Sequence, residues 1–406
     1  MRSFLILLTA GLLAQLAPGT AGATNIRVLV ASGKAVSVRV PITPSVAQGA
    51  AGYASWTVGA LGSHLSLGGQ DAGGDTLYLP PVPGSTVDID GHTYRGGLLL
   101  KVVSGVVKAV NVLDLEEYLL GVVPAEMPSS WPTEALKSQA VIARTYAAAR
   151  INPTSYYDLC ATDSCQVYGG VARETASASQ AVQATRAQVV SYAGAAARTY
   201  FSSDSGGYTA SSLEAWGQDQ PYLTAKPDPA SQGPNSRWTL SVPLSRVAEV
   251  AARYGVQVGS VQSLTITQLS ASGRVTGINV VGSAGSRLLS GADAGGFVRS
   301  LGARSSRVNF SGSDPLVIEG AGSGHGVGLS QYGAAGLARQ GWNYLQIMGF
   351  YYAGASISSI LADTRPGGLL TAGVPFREAQ PAPLAERPAA PPVVALDPWV
   401  LRSPGL

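Results

Sequence analysis

A single carboxylate among apolar residues is the first feature of the sequence that could do chemistry. Glu126 lies in the segment GVVPAEMP, residues 121–128, and Trp131 follows closely. Apolar surroundings disfavour the charged form of a carboxyl group and raise its pKa. A carboxyl group that keeps its proton near neutral pH can act as a general acid. The alternative is an ordinary surface glutamate in a proline-rich loop, and the local sequence leaves both interpretations open.

The helix expected after this segment carries two basic residues on one face. Lys137, Val141 and Arg144 are spaced at i, i+4 and i+7, a spacing that brings side chains to the same side of a helix. The lysine and the arginine could bind sugar hydroxyls or acidic groups, or steady Glu126. The alternative is a solvated basic face without a site.

Two glycine-containing segments could also line a site. Residues 322–333 read GSGHGVGLSQYG, and alternating glycines leave a backbone that a ligand can approach closely. His325 within it is either a site residue or a buried structural histidine. The second segment, residues 203–209, reads SDSGGYT and carries Ser205. Without a G-x-S-x-G elbow, a serine nucleophile is disfavoured.

The two cysteines, Cys160 and Cys165, are spaced C-x4-C. In an exported chain this spacing favours one disulfide that closes a short loop. Zinc is the sharper alternative, but two cysteines alone do not complete a tetrahedral site. The three histidines, His64, His92 and His325, are not adjacent to one another. Disulfide, metal and free thiols therefore remain as three interpretations.

The beginning of the chain resembles a signal peptide at residues 1–23. Arg2 precedes an apolar run at residues 4–16, and the small-x-small pattern at residues 21–23 suits signal peptidase. The alternative is an uncleaved anchor. We therefore expect an exported protein, located in the periplasm, the cell wall or the medium, whose mature chain begins near Thr24.

Composition narrows the function classes further. The chain is 46% hydrophobic and 13% charged, and a charged share well below the usual value of about 25% indicates a large core. The net charge of +3 is too weak to indicate a nucleic-acid partner.

The elements that must position these residues can be predicted from apolar periodicity and turn residues. Strands are expected at residues 26–30, 35–40, 77–79, 98–103, 106–113, 189–201 and 307–310, with a hairpin at residues 261–281. Helices are expected at residues 115–120, 134–150, 176–187, 243–254, 291–301 and 330–340, the last followed by residues 344–352. Asp114 is expected to cap the first helix and Ser130 or Thr133 the second. Glu126 is expected in the loop between them, at residues 122–131. The irregular order predicts an α+β protein with a mixed sheet, a β-rich N-terminal region and helices packed on the core.

Taken together, six segments resemble the SpoIID/LytB family of bacterial cell-wall proteins. They are YRGGLLLKVV at residues 94–103, VLDLEEYLLGVVPAEMPSSWPTEALKSQAVIARTYAAAR at 112–150, CQVYGG at 165–170, YFSSDSGGYT at 200–209, AWGQDQPYL at 215–223 and GHGVGLSQYGAAGLARQGWNYLQIMGFYYAG at 324–354. The expected division is a signal peptide at 1–23, a β-rich region at 24–90, a SpoIID/LytB-like peptidoglycan domain at 91–372 and a disordered Ala/Pro-rich tail at 373–406.

The resemblance implies one of two activities. SpoIID members are lytic transglycosylases that cut the glycan strands of peptidoglycan. LytB members are amidase enhancers, which act with a cell-wall amidase and do not cut. The expected partners are therefore glycan strands and, for the second activity, such an amidase.

The resemblance also implies roles for particular residues. Glu126 matches the catalytic acid, which would protonate the glycosidic oxygen after N-acetylmuramic acid. It would then accept the proton of that sugar's C6 hydroxyl as the hydroxyl oxygen attacks C1, leaving a 1,6-anhydro end. Ordinary glycosidases need two carboxylates for their reaction. Asp114 and Glu134 are interpreted as helix-end charges rather than as a second acid. The residues expected to bind substrate are Lys137, Arg144, Ser205, His325, Gln331, Tyr351 and Tyr352.

Some family members bind zinc at the cysteine-containing loop with help from an upstream histidine. Here the matching stretch, residues 151–153, reads INP. The missing histidine favours a Cys160–Cys165 disulfide, and no cofactor is expected.

Overall fold

The computed structural model describes residues 24–42, 52–361, 369–371 and 373–376. Within these ranges strands and helices mix without regular alternation, which confirms the α+β class. The predicted signal peptide and residues 377–406 of the predicted tail lie outside the described residues. Among the helices described, none is long and apolar enough to cross a membrane.

The strands fall into three stretches of the chain. Before the first helix they are β1 (Asn25–Gly33), β2 (Ala35–Ile42), β3 (Gly52–Leu61), β4 (His64–Leu67), β5 (Gln70–Asp71), β6 (Thr76–Leu79), β7 (Val87–Ile89), β8 (His92–Tyr94), β9 (Gly97–Val103) and β10 (Val106–Asp114). In the middle they are β11 (Leu159–Cys160), β12 (Gln188–Tyr192), β13 (Ala195–Ala196), β14 (Phe201–Ser202), β15 (Trp238–Val242), β16 (Val261–Leu269), β17 (Val275–Gly282), β18 (Gly285–Ser290), β19 (Val308–Ser311) and β20 (Leu316–Gly320). At the end they are β21 (Leu329–Ser330), β22 (Ser356–Leu361), β23 (Leu369–Leu370) and β24 (Val374–Pro375).

The helices described are α1 (Leu115–Glu126), α2 (Thr133–Ala148), α3 (Ala176–Ala184), α4 (Ser212–Trp216), α5 (Leu244–Arg253), α6 (Ala292–Ser300), α7 (Gln331–Arg339) and α8 (Tyr344–Tyr351). A short 3-10 helix spans Val171–Arg173.

Two sheets form the N-terminal part of the fold. One has the strand order β11-β1-β10-β9-β6 and the other β5-β4-β3-β2-β7-β8. β1 pairs antiparallel with β10, with Asn25 opposite Asp114, so strands from both sides of the predicted boundary at residue 90 share one sheet. Ile26, Val28 and Leu100 are fully buried between the layers. β10 leads directly into α1, which places the sheet behind Glu126.

Helix α2 is the centre of the main core. Ala140, Ala143 and Ala147 are fully buried, and α2 packs against α1, α3, α7, α8 and β12. Small side chains let several elements approach one helix closely. The helix begins after Pro132, without a side-chain cap. The predicted caps at Ser130 and Thr133 are therefore wrong, and the fixed φ of proline suits this start.

Helix α1 is longer than predicted, and Glu126 is its last residue rather than part of a loop. Val122 and Val123 are fully buried, so burial of this turn outweighs the missing N–H of Pro124. The N–H of Met127 donates to the Val123 carbonyl at 3.0 Å and closes the helix. Asp114 accepts from the Glu116 N–H, which confirms the predicted N-cap.

Residues 238–320 enclose a second, smaller core. The sheets β15-β20-β19 and β16-β17-β18, with α5 and α6, surround Ile278 and Phe297. This unit lies in the chain between β14 and β21, which pair in parallel. The chain therefore leaves the main core and returns to it at neighbouring points. At the C-terminal end, Val374–Pro375 pairs with β22, so the first residues of the predicted tail belong to a sheet.

Candidate functional site

Only one oxygen of the Glu126 carboxyl group accepts a hydrogen bond from the described residues. Oε1 accepts a hydrogen bond from the Val167 N–H at 2.7 Å, while Oε2 has no partner in the described part of the chain. Burial raises the pKa of Glu126, and the negative charge of Asp163 raises it further against the opposing effect of the Val167 N–H. The negative end of the α1 dipole acts in the same direction as burial. The partly exposed Glu126 can therefore carry a transferable proton on Oε2.

The loop that supplies the Val167 N–H is tied down at several points. Arg27 on β1 binds Asp158 through two hydrogen bonds, of 3.0 and 2.6 Å. Directly after Asp158, β11 pairs in parallel with β1. Cys160 and Cys165 then form a disulfide with a Cα–Cα distance of 5.5 Å. These anchors hold the residues just before Val167 to the sheet.

Tyr168 packs this loop against α1. Its hydroxyl donates to Asn111 Oδ1 at 2.9 Å, and its ring lies 4.9 Å from the Tyr118 ring. A Cβ at Gly121 would lie 2.8 Å from the Tyr168 ring and 3.0 Å from the Gly170 carbonyl oxygen. Glycine at position 121 thus permits the close approach that brings Val167 to Glu126.

Gln331 reaches the same helix end from the other side. Its Nε2 donates to the Glu126 carbonyl oxygen at 3.0 Å and to Gln139 Oε1 at 3.3 Å. Gln331 was predicted to bind substrate, whereas these two contacts are with the protein itself and fix the end of α1.

Lys137 and Arg144 do not contact the Glu126 carboxylate. Lys137 pairs with Glu134 at 2.7 Å on the outside of α2. Arg144 is fully buried and binds Glu116 through Nε and NH2 at 2.8 and 2.7 Å. Because no part of Arg144 is accessible, the structure gives it an interior ion pair in place of the predicted substrate contact.

Ser205 and Tyr351 are likewise interior residues, and they meet at a carboxyl group absent from the sequence predictions. The Ser205 hydroxyl donates to Asp228 at 2.8 Å, and the Tyr351 hydroxyl donates to both oxygens of Asp228 at 3.1 and 3.0 Å. Burial raises the pKa of Asp228 to about 6, and the nearby Asp204 adds to the shift. This network pins residues 202–236 to α7 and α8 without reaching solvent.

Tyr352 and His325 complete the predicted set. The buried Tyr352 donates to the Tyr200 carbonyl at 2.6 Å. His325 Nδ1 accepts from the Val327 N–H at 2.9 Å, and burial with the positive charge of Arg274 lowers the pKa of His325 to about 4. His325 is therefore neutral and shapes the glycine-rich turn, while its ring remains partly exposed.

Four side chains contact one another in a row, and we call Tyr146, Arg150, Tyr200 and Trp216 the aromatic row. The Arg150 guanidinium lies 3.4 Å from the Tyr146 ring centroid and 5.8 Å from that of Tyr200. The Tyr200 and Trp216 centroids are 4.6 Å apart, and Trp216 is 40% exposed. Burial raises the pKa of Tyr146, and the negative charge of Glu126 adds to this shift. The i, i+4 spacing of Tyr146 and Arg150 could have indicated this pair.

The residues of this loop do not fit zinc. Both cysteine sulfurs are joined in the disulfide, so neither is a thiolate that could bind the metal. Within the described ranges, no group of three or more His, Cys, Asp or Glu side chains could hold a metal ion.

Comparisons with known proteins agree with this geometry. A family model described as SpoIID, stage II sporulation protein, matches residues 103–192. The chain is 34% identical to an uncharacterized protein of Brachyspira hyodysenteriae, over 66% of this chain and 73% of the relative. It is 32% identical to an amidase enhancer of Bacillus subtilis, over 59% of this chain and 40% of the relative. It is 31% identical to a stage II sporulation protein D of Bacillus amyloliquefaciens, over 62% of this chain and 76% of the relative. The chain belongs to the SpoIID/LytB family.

Proposed function

We propose that this protein is an exported lytic transglycosylase that cleaves peptidoglycan glycan strands at N-acetylmuramic acid, with Glu126 as its single general acid and base. The observation that carries the proposal is the state of the Glu126 carboxyl group. One oxygen accepts a hydrogen bond from the Val167 N–H, the other has no partner among the described residues, and burial raises the pKa of the group. Membership of a family that acts on the cell wall supports the choice of substrate.

The reaction needs one proton to leave Glu126 and one to return. Glu126 Oε2 gives its proton to the glycosidic oxygen as the bond from that oxygen to C1 of N-acetylmuramic acid breaks. The C6 hydroxyl oxygen of the same sugar then bonds to C1, and its proton passes to the Glu126 carboxylate. The products are a 1,6-anhydro end and a free hydroxyl on the leaving sugar. Glu126 regains its starting form without water being consumed.

The aromatic row gives the glycan strand a surface to lie on. Sugar rings have apolar C–H faces that pack well against aromatic rings. Trp216 is exposed at one end, and at the other end Tyr146 is affected by the charge of Glu126. A strand on this row would therefore lead its glycosidic bonds toward the free oxygen of Glu126.

A hydrolytic mechanism would require a second carboxylate near the scissile bond. Asp163 is the carboxylate whose charge acts on Glu126. It lies exposed within the disulfide-closed loop, and water-exposed charges interact weakly. The exposure of Asp163 thus favours the one-carboxylate mechanism. The type of product distinguishes this mechanism from hydrolysis.

The second candidate function is that of an amidase enhancer, which would bind a cell-wall amidase without cutting glycan. The Bacillus subtilis relative named amidase enhancer is the observation that favours it.

The experiment is a product analysis of purified glycan strands, incubated with the protein and examined by mass spectrometry. The proposal predicts 1,6-anhydro ends, whereas reducing ends formed with uptake of water would indicate a paired-carboxylate hydrolase. A parallel arm adds a cell-wall amidase and intact wall. Faster amide cleavage in that arm, without any glycan cleavage by the protein alone, would support the enhancer role instead.

A further inference from the structure

A cavity of about 430 Å³ lies on the smaller unit, apart from Glu126. It opens over the sheet β15-β20-β19 and the turn at Gly273, beside the loop that carries Ser205. The polar and aromatic side chains that line it are Arg237, Trp238, Thr239, Arg307, Asn309 and Glu319. None of them takes part in the proposed glycan chemistry.

Two of the lining residues are arginines without an acidic partner. In the part of the chain that the structure describes, neither Arg237 nor Arg307 forms an ion pair. The side chain of Arg307 donates to the Gly206 carbonyl and leaves its other N–H groups unused. Burial and the positive charge of Arg237 lower the pKa of Arg307. Trp238 and Val308 both pair with Gly320, so the preceding residues, Arg237 and Arg307, flank the same point of β20 from its two neighbouring strands. An anion between the two guanidinium groups would relieve the repulsion of their charges.

A third arginine increases the positive potential behind the cavity. Arg274 is buried and donates to the carbonyls of Ser205 and Tyr208 at 3.1 and 3.2 Å. Burial lowers the pKa of Arg274 to about 10, against the opposing effect of the negative charge of Glu214 and with a further contribution from Arg307. Its hydrogen-bond partners are neutral carbonyl groups.

The cavity also contains a negatively charged side chain. Glu319 on β20 is exposed, and within the described residues it has no cationic partner within 4.0 Å. The Trp238 indole packs on Gly320, where a Cβ would overlap the ring, so it lies on the opposite face of the sheet from Glu319. The indole Nε1 donates to the Gly322 carbonyl at 2.8 Å. The cavity thus carries charges of both signs that form no ion pair among the described residues.

We propose that this cavity binds a zwitterionic amino acid or short peptide, with its carboxylate between Arg237 and Arg307 and its ammonium group toward Glu319. Arginine matches a carboxylate with two parallel N–H donors. The ammonium group pairs with the remaining acid. The proposal is independent of catalysis at Glu126, because it uses none of that site's residues.

The test is calorimetric titration of the mature chain with alanine, dialanine and trialanine, with tryptophan fluorescence as a second readout. Variants Arg237→Gln and Glu319→Gln remove one charge each from exposed positions and should leave the fold intact. Arg287→Gln, an exposed arginine on β18 of the same unit, is the matched control. We expect Arg237→Gln to weaken binding about tenfold or more and Arg287→Gln to leave it unchanged.

Blocked ligands test each end separately. Dialanine amide should bind about tenfold more weakly because it lacks the carboxylate. N-acetyl-dialanine, which lacks the ammonium group, should also bind about tenfold more weakly than dialanine. The Glu319→Gln variant should bind the two ligands equally well. Comparing alanine with the longer probes separates a free amino acid from a peptide as the ligand. The proposal is overturned if none of the three zwitterions binds, if either blocked form binds as well as dialanine, or if inorganic phosphate displaces dialanine with equal affinity.

Discussion

Glu126 and Asp228 both have carboxyl groups whose pKa is raised by burial, but they differ in accessibility. Glu126 is partly exposed at the end of a helix, and its Oε2 has no partner among the described residues. Asp228 is enclosed by Ser205 and Tyr351, which donate to it from inside the protein. A raised pKa therefore indicates a catalytic acid only when the proton has an open path.

The charge of Asp163 should affect the pH dependence of glycan cleavage. Cleavage requires protonated Glu126, so the rate should fall as pH rises through the raised pKa of that group. Asp163→Asn removes a negative charge that raises this pKa. The falling limb of the pH–rate profile should therefore move to lower pH while the product remains the anhydro end. A limb that stays in place, or moves upward, would contradict this electrostatic assignment.

Asp228 should affect stability rather than rate. Its pKa is about 6 in the folded protein, against an ordinary value of 3.8, so the folded state binds a proton more tightly than the unfolded state. Stability from this group is present at low pH and is lost as pH rises from about 4 to 6, by roughly 3 kcal/mol. Asp228→Asn should flatten that decline in urea unfolding measured across this range. Asp219→Asn, at an exposed position, is the control and should leave the decline unchanged.

The roles of Arg144 and Lys137 can be separated by stability. Arg144→Ala leaves Glu116 without its buried partner and should lower the free energy of unfolding by about 3–5 kcal/mol. Lys137→Ala breaks a pair on the surface of α2 and should lower it by about 1 kcal/mol or less. Chemical denaturation at fixed pH measures both. Near-normal stability of Arg144→Ala, together with loss of glycan binding, would instead support the predicted contact between Arg144 and substrate.

At the scale of elements, the disulfide loop and α1 act together. The loop is anchored to β1 through Asp158 and is drawn against α1 by Tyr168. The position of the Val167 N–H, and so the orientation of Glu126, depends on both anchors. The carboxyl group of Glu126, the proposed acid, is thus oriented by a segment about forty residues away in sequence.

Removing the disulfide should loosen this arrangement. A double variant, Cys160→Ser with Cys165→Ser, should lose about 2 kcal/mol of stability by the loop-closure estimate for so short a loop. It should also cleave glycan more slowly, because the Val167 N–H no longer holds Glu126 Oε1 firmly. Thermal unfolding and product formation below the melting range measure the two effects. An unchanged cleavage rate would show that the loop needs no covalent closure.

Much of the element order could be predicted because apolar periodicity is strong where elements are buried. The strands at residues 98–103 and 106–113 and the hairpin around residues 271–273 are confirmed. Strands β3 and β4 were missed, because glycine, serine and threonine interrupt their apolar residues. The end of α1 was wrong because Pro124 is a local stop signal, whereas tertiary burial of Val122 and Val123 is not visible in local sequence.

The site, like the element order, could be predicted only in part, because local sequence does not show tertiary contacts. The hypothesis of an acid at Glu126 followed from its apolar neighbours and its motif. The contacts of Arg144, Ser205 and Tyr351 could not, because each depends on a residue distant in sequence. A polar residue in a motif looks the same in the sequence whether its side chain contacts a ligand or takes part in an interior hydrogen-bond network. Asp228, which no motif marked, is the partner of two of them.

At the scale of the whole molecule, the proposed catalytic site and the proposed binding cavity lie on different cores. The main core carries α1, α2, α7 and the disulfide loop around Glu126. The smaller core supports the arginine-lined cavity. The two are joined near β14 and β21, where the loop with Ser205 meets Arg307. Variants of the cavity should therefore leave glycan cleavage at Glu126 intact.

The central claim concerns Glu126, and the most direct test is the rate at which purified glycan strands acquire anhydro ends. Wild type, Glu126→Gln and the matched control Glu249→Gln, at an exposed position on α5, are compared after circular dichroism shows that all three are folded. Loss of the general acid should slow Glu126→Gln by about a hundredfold or more, while Glu249→Gln produces anhydro ends at the wild-type rate. Formation of anhydro ends by Glu126→Gln at the wild-type rate would contradict the account.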